Sequence, residues 1–338
     1  MSSHLSIEPP PAPPPSGETA TTCRICGNST RNQRHVAREM MLGLKNEFLY
    51  LECGACGCLQ LEQIPEDMAR YYPTNYYSLT EHGWFKSFLR RCWARHAYQR
   101  PNPVGWLLSE VVIPHEAMLA IRRTGLGKNA AILEVGCGSG RLLSDLAWLG
   151  FTNLTGVDPF IPQDIRQSNG PTILKQQVEN MTGEFDLVML HHSFEHTDQP
   201  LAVMQAIARL LKPGGHAIFR IPVASSFAWH EYGVHWANFD APRHFFLHTF
   251  ESMRMLSEKV GLQLKEILHE GNDEQIWVSE EYARNIARND PRSLKSNPLK
   301  KILAAPKIWR CKVKAKELNL KKQGDLVCFH YRKPSQPL

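Results

Sequence analysis

The chain has 338 residues, of which 43% are hydrophobic and 21% charged, with a formal net charge of +6. That length allows one large domain plus a small one. No apolar run reaches the ~18 residues that a spanning helix needs, and the start lacks the charged-then-apolar pattern of a secretory signal, so a cytoplasmic protein is expected. The charge is uneven: residues 291–338 hold 13 Lys/Arg against 2 acids, a net of +11, and the rest holds 26 against 31, a net of −5.

Near the start, residues 7–22 read "IEPPPAPPPSGETATT". Proline forbids helix and offers no amide donor, so a disordered tail is expected over residues 1–20. Next, "CRICG" and "CGACG" place Cys23, Cys26, Cys53 and Cys56 in two C-x-x-C-G knuckles. Four thiolates at this spacing can hold Zn²⁺ tetrahedrally, and the site would be closed and structural. Gly27 and Gly57 suit the tight turn after each pair, where a residue tolerant of positive φ is required. Residues 21–62 therefore read as a small zinc ribbon whose stability depends on its metal. Cys58 is the spare cysteine. The remaining four, Cys92, Cys137, Cys311 and Cys328, are scattered, which suits a reducing compartment. Residues 63–128 read as a helical linker or substrate cap. Its Tyr71, Tyr72, Tyr76 and Tyr77 form a pocket wall or simply inter-domain packing.

From residue 129 the pattern alternates strand and helix. "AILEVGCGSGRLL" is a buried strand, a turn with Gly136, Gly138 and Gly140, and the start of an amphipathic helix. Such glycines let a ligand approach the backbone closely. "TNLTGVDPF" is a second strand ending at Asp158, whose carboxylate can accept both hydroxyls of an adenosine ribose. A dinucleotide site would need glycine where Arg141 stands, and a P-loop would need Gly-Lys-Ser/Thr. Glu134 would repel a pyrophosphate. It suits a cation such as the ammonium and sulfonium of S-adenosylmethionine. "FDLVMLHHSFEH" is a strand releasing a polar cluster. A helix, the turn Pro213-Gly214-Gly215 and another strand follow; then comes a further helix–strand pair, and "GDLVCFHYRK" supplies a last strand. The succession predicts one doubly wound α/β sheet.

The set E-x-G-x-G-x-G, an acid ending strand two, F-D-L-V and L-K-P-G-G resembles class I S-adenosylmethionine-dependent methyltransferases. The resemblance covers residues 129–338, with a basic insertion at about 280–322. It implies a seven-stranded sheet with an antiparallel last strand. It also implies that Glu134, Gly136, Gly138, Gly140 and Asp158, with His191, line the cofactor, and that Gln177, Val178 or Glu179 meets the adenine. The ribbon followed by "LQLEQIPEDMARYYPTNYY" is similar to zinc-ribbon methyltransferases of deoxysugar, antibiotic and polysaccharide pathways. "DAPRHFFLHTFESMRML", residues 240–256, also resembles a stretch of that group. A small or lipid-linked saccharide is the acceptor this resemblance implies.

Methyl transfer to a hydroxyl or a carbon acid needs a base, and histidine suits that role. One candidate cluster is His191, His192, Glu195 and His196. "HSFEH" matches a metalloprotease pattern, but it begins at a strand end rather than within a helix. Glu195 and His196 are expected to cap the next helix. A divalent ion held by His192, Glu195 and His196 is a weaker reading. The second cluster is "WHEYGVHWANFDAPRHFF", residues 229–246, with His230, Tyr232, His235, Asp240, Arg243 and His244. Its aromatics could stack on a sugar, and Arg243 could pair with a phosphate. The base is assigned to His192 or His244.

The basic stretch 298–322 carries Leu299, Ile302, Leu303, Ile308, Trp309 and Val313 among lysines. It reads first as a solvated helical insertion, next as a segment touching anionic lipid, and last as an RNA contact. An RNA methyltransferase is one alternative, suggested by the zinc ribbon and the basic tail; against it, no N-P-P-Y-type amine-methylating motif follows strand four, and nucleic acid is not expected as a partner. A scaffold without catalysis is the remaining alternative, and the intact glycine loop argues against it.

Overall fold

The computed structural model describes residues 22–72, 116–166 and 170–335. The expected tail, most of the 63–128 linker with Tyr76 and Tyr77, and Cys92 lie outside the described residues.

The N-terminal segment folds as an antiparallel set: β1 (Gln33–Arg38), β2 (Glu47–Glu52) and β3 (Leu59–Leu61). Each cysteine knuckle closes on itself. The Gly27 amide donates to the Cys23 carbonyl at 2.8 Å, and Gly57 to Cys53 at 2.9 Å. Both glycines have positive φ, +78° and +68°, as the turn requires. The free edge of β3 does not face solvent. It pairs with β10 (Phe246–Leu247), which belongs to the second half of the chain, so the four-stranded sheet joins the ribbon to the larger domain.

The large sheet contains β4 (Ala131–Val135), β5 (Asn153–Val157), β6 (Ile165–Arg166), β7 (Thr172–Leu174), β8 (Phe185–His191), β9 (Leu211–Pro222), β11 (Gln263–His269) and β12 (Leu326–Arg332). Their order is β11-β12-β9-β8-β4-β5-β7-β6. Strands β7, β5, β4, β8 and β9 are parallel, and β12 lies antiparallel between β9 and β11. The expected seven strands are all present; the eighth, β6, is a two-residue antiparallel edge. β4 is buried along its whole length and β8 nearly so, which is why both read as continuous apolar runs. Their side chains alternate between two cores. Leu133, Val135, Val188 and Leu190 face one side with α3 (Pro200–Leu210) and α5 (Phe250–Lys259). Ile132, Leu187 and Met189 face the other, with α1 (Glu116–Arg123) and α2 (Arg141–Trp148).

The Pro213-Gly214-Gly215 turn does not separate helix from strand. β9 already starts at Leu211, and its ladder with β8 jumps from Phe185–Leu211 to Leu187–His216. The extra residues bulge there, with Gly214 at φ +78°. Between β9 and β10 lies α4 (Phe227–Tyr232). The basic insertion between β11 and β12 consists of α6 (Glu274–Ala283), α7 (Pro298–Leu303) and α8 (Ala305–Leu320).

Candidate functional site

The glycine loop forms at the carboxyl end of β4. Gly136 has φ +70°, and a Cβ there would stand 2.4 Å from the Cβ of Ser193. Only glycine lets the tips of β4 and β8 approach this closely. Gly140 (φ +73°) precedes α2, where a Cβ would meet Ile173 at 2.1 Å. Asp158 sits buried at the tip of β5. Its two oxygens accept the amides of Gly138 (2.8 Å) and Phe160 (2.9 Å). These bonds fix the carboxylate and leave each oxygen a second lone pair for a hydroxyl.

Glu134 is 5% exposed, and its Oε2 has no hydrogen-bond partner among the described residues. Burial pushes its carboxyl up to about 8, reinforced by the nearby charges of Asp158 and Asp145. An orphaned buried acid beside a backbone cradle suits a cationic ligand group. Of the expected adenine contacts, Val178 is buried in the short turn Val178–Asn180, and Gln177 and Glu179 are exposed. Phe160 is 86% exposed two residues after Asp158. A bulky apolar residue two positions after a strand-tip acid is a signal visible in the sequence.

Ser193 links this loop to the histidine cluster. His192 holds φ +53°, and its amide donates to the Arg220 carbonyl at 3.0 Å. Its side chain is 45% exposed, with Nδ1 at 3.5 Å from Glu195 Oε1. Glu195 is fully buried. The expectation that Glu195 and His196 cap the next helix is not met: Gln199 occupies the N-cap of α3, without a side-chain cap bond. Instead the turn Phe194–His196 swings Glu195 inward, between His192 and His244. Burial opposes its charge, but the His192 contact and the facing imidazoles outweigh that and hold the carboxyl at about 2.

His196 donates from Nδ1 to the Arg243 carbonyl at 2.7 Å, and His244 from Nδ1 to the Asn238 carbonyl at 2.9 Å. Both tautomers are thereby set, leaving Nε2 as the basic atom. His244 Nε2 lies 4.0 Å from Glu195 Oε1 and 3.8 Å from Asp240 Oδ2. Burial lowers His244 to about 4, so its ring is neutral at neutral pH. Both base candidates thus stand against one carboxylate, His192 from β8 and His244 from the long loop. His191 ends β8, paired with Arg220 through the backbone ladder.

Other expectations for the long loop are corrected. Arg243 is fully buried, and its guanidinium is committed to Asp240, the Tyr71 carbonyl and Glu39, so it has no face for a phosphate. Trp229, Trp236 and Phe239 pack into a core with Tyr50, so these rings cannot stack on a sugar. His230 is exposed on α4, and His235 lines a separate cleft with Val36, Arg38, Met40 and Tyr282. Of the tyrosines, Tyr71 is buried and Tyr72 reaches His196, with its hydroxyl 3.4 Å from Nδ1. Glu39, buried beside Arg243 at 3.5 Å, was not foreseeable, because no spacing rule connects residues so far apart in the chain.

The four ribbon cysteines converge. Sγ atoms of Cys23 and Cys56 are 3.7 Å apart, those of Cys26 and Cys53 3.5 Å, and all four lie within 4.8 Å of one another. Thiolates at ~2.3 Å from one tetrahedral metal stand about 3.8 Å apart, so the donor set fits zinc. Amides of Ile25 and Ala55 point at Cys23 and Cys53 sulfur, each at 3.4 Å. Cys58 stays outside, with its sulfur 3.9 Å from His248 Nδ1. The ribbon braces the histidine loop: the Tyr50 hydroxyl donates to the His244 carbonyl at 2.9 Å, and the Leu61 amide to the Phe245 carbonyl at 2.8 Å.

Residues 112–267 match a family described as a methyltransferase domain. The ubiquinone biosynthesis O-methyltransferase of Pseudomonas aeruginosa (strain UCBPP-PA14) is 32% identical over 165 residues, which is 43% of this chain and 65% of that protein. That of Xanthomonas oryzae pv. oryzae (strain PXO99A) is 34% identical over 100 residues, 25% of this chain and 40% of the relative. The chain therefore spans less than two thirds of these relatives' length. Among solved structures, an S-adenosylmethionine-dependent methyltransferase from Mesorhizobium loti superposes with a TM-score of 0.41 at 14% identity, covering 64% of this chain and 98% of that one. With its glycine loop and sheet order, the region 112–267 has a methyltransferase fold and is similar to methyltransferase domains.

Proposed function

We propose that the chain transfers a methyl group from S-adenosylmethionine to a hydroxyl of a small or lipid-linked acceptor, with His192 as base and Glu195 as its partner. The cofactor supplies a methyl on a sulfonium, activated toward an incoming nucleophile. Glu134, Gly136, Gly138, Gly140 and Asp158 are the residues that would hold it. The observation that carries the reading is the contact between Gly136 and Ser193, which sets the cofactor loop directly against the His192–Glu195 pair. Glu195, kept ionised, orients His192 through Nδ1 and stabilises the imidazolium formed when Nε2 takes the acceptor's proton. His244 shapes the acceptor side.

Oxygen as the methylated atom draws support from the names of the relatives. A saccharide acceptor keeps the ribbon–methyltransferase architecture as its support and loses two others, the buried Arg243 and the buried tryptophans. Ubiquinone pathway relatives favour a phenolic hydroxyl as the second reading. We assign zinc to Cys23, Cys26, Cys53 and Cys56. A second cation is the alternative to a histidine base: Glu195, His196 and His244 each direct a ligand atom within 4.8 Å of the others. Their Nδ1 bonds to carbonyls are the support that metal-bound imidazoles use.

The test is turnover with hexose nucleotides and with catechols as acceptors. His192→Ala should lower turnover by ~10²–10⁴-fold while cofactor affinity holds. Unchanged turnover, or a metal content of two per chain with activity lost on removing the second, defeats the base assignment.

A further inference from the structure

We infer that the insertion α7–α8 is a docking surface for an anionic lipid membrane. Among the described residues, six of the ten exposed large apolar side chains fall in this one segment: Leu299, Ile302, Leu303, Trp309, Val313 and Leu320. Leu303 and Leu320 are 83% and 86% exposed. The helix α8 has two distinct faces. Ile308, Cys311, Ala315 and Leu318 are buried against the body of the protein. Trp309, Val313 and Leu320 recur at four- and seven-residue intervals on the opposite side, which places them in one outward stripe. Helix α7 adds Leu299, Ile302 and Leu303 and buries none of its residues.

Charge decides the occupant. Residues 298–322 carry nine Lys/Arg and a single acid, Glu317. Lys307 bridges to Glu280 at 2.6 Å, and Glu317 is taken by Lys321 at 2.5 Å. On the helical wheel Lys312 and Lys316 flank or interrupt the apolar stripe. A second copy of the chain would bring one strongly basic face against another. A nucleic acid would pair with the cations but leave the exposed apolar stripe of Trp309, Val313 and Leu320 without a partner. A bilayer with anionic headgroups satisfies both features: the apolar stripe enters the headgroup–acyl boundary, and the long lysine stems reach back to the phosphates. This surface is independent of which acceptor is methylated.

The experiment is co-flotation of the full chain with vesicles of phosphatidylcholine alone and of phosphatidylcholine with phosphatidylglycerol. The wild type should bind the anionic vesicles, release them as salt is raised, and ignore the neutral ones. The double variant Leu303→Ser/Trp309→Ser, at exposed positions that leave the fold in place, should lose about tenfold or more of that binding with an unchanged melting curve. Equal binding by variant and wild type would overturn the inference. So would retention on single-stranded RNA without vesicle binding, or a self-association that the same variant abolishes.

Discussion

Glu134→Gln separates the charge of the buried acid from its shape. In the empty protein burial holds this carboxyl at about 8. At pH 7 only about one molecule in ten is therefore ionised, and a cationic ligand that needs the carboxylate must displace its proton at ~1.4 kcal/mol per pKa unit. Apparent affinity for S-adenosylmethionine should rise by up to about tenfold between pH 6.0 and 7.0, a window in which the ligand's own ammonium stays largely charged. Calorimetry in two buffers of different ionisation enthalpy should find net proton release on binding at pH 7. The variant should abolish both the slope and the proton release. S-adenosylhomocysteine, lacking the sulfonium, should show a shallower slope. The folded pKa lies above the unfolded value, so Glu134 folds preferentially as the neutral acid. The empty protein accordingly loses stability as pH rises from about 4.5 through 8, and the bound cation offsets that loss. Flat affinity across the window, with no buffer-dependent heat, would refute the placement of the cation at Glu134.

Asp158→Ala should weaken cofactor binding by ~1–3 kcal/mol, the worth of a charged hydrogen bond, and calorimetry at fixed pH measures it directly. Cys53→Ser should release the metal and loosen residues 240–248, because β10 and the carbonyls of His244 and Phe245 are held by the ribbon. Elemental analysis with hydrogen exchange checks both halves; metal loss with unchanged exchange in that loop would show the brace to be idle.

Local chemistry was the legible part. The glycines at 136, 138 and 140, the strand-tip Asp158 and the two cysteine knuckles were readable because each feature is set within a few residues by φ, by a strand's end or by ligand spacing. What pointed where in the long loop was not. Arg243 looked like a phosphate ligand because two of its partners, the Tyr71 carbonyl and Glu39, lie far away in the chain, and only the fold adds them to the neighbouring Asp240. Glu195 looked like a helix cap because its neighbours in sequence suggested one, whereas His244, nearly fifty residues later, is what it faces. Trp229 and Trp236 read as sugar platforms because composition reports aromatic rings without reporting their burial. In the basic insertion the wheel was readable but its zero angle was not: Ile308 went inward and Leu320 outward.

The hydrogen bond from Tyr50 to the carbonyl of His244 joins residues 194 positions apart. On the ribosome, at ~5–20 residues per second, the ribbon emerges roughly 10–40 s before the strand that closes its sheet has been made. Through that interval the outer edge of β3 offers unpaired amides and carbonyls to any strand that passes, including the ribbon of a neighbouring nascent chain. Metal captured early would shape the knuckles but could not cover that edge. Yield of folded protein should therefore respond to the rate of synthesis and to crowding of nascent chains as much as to the supply of metal.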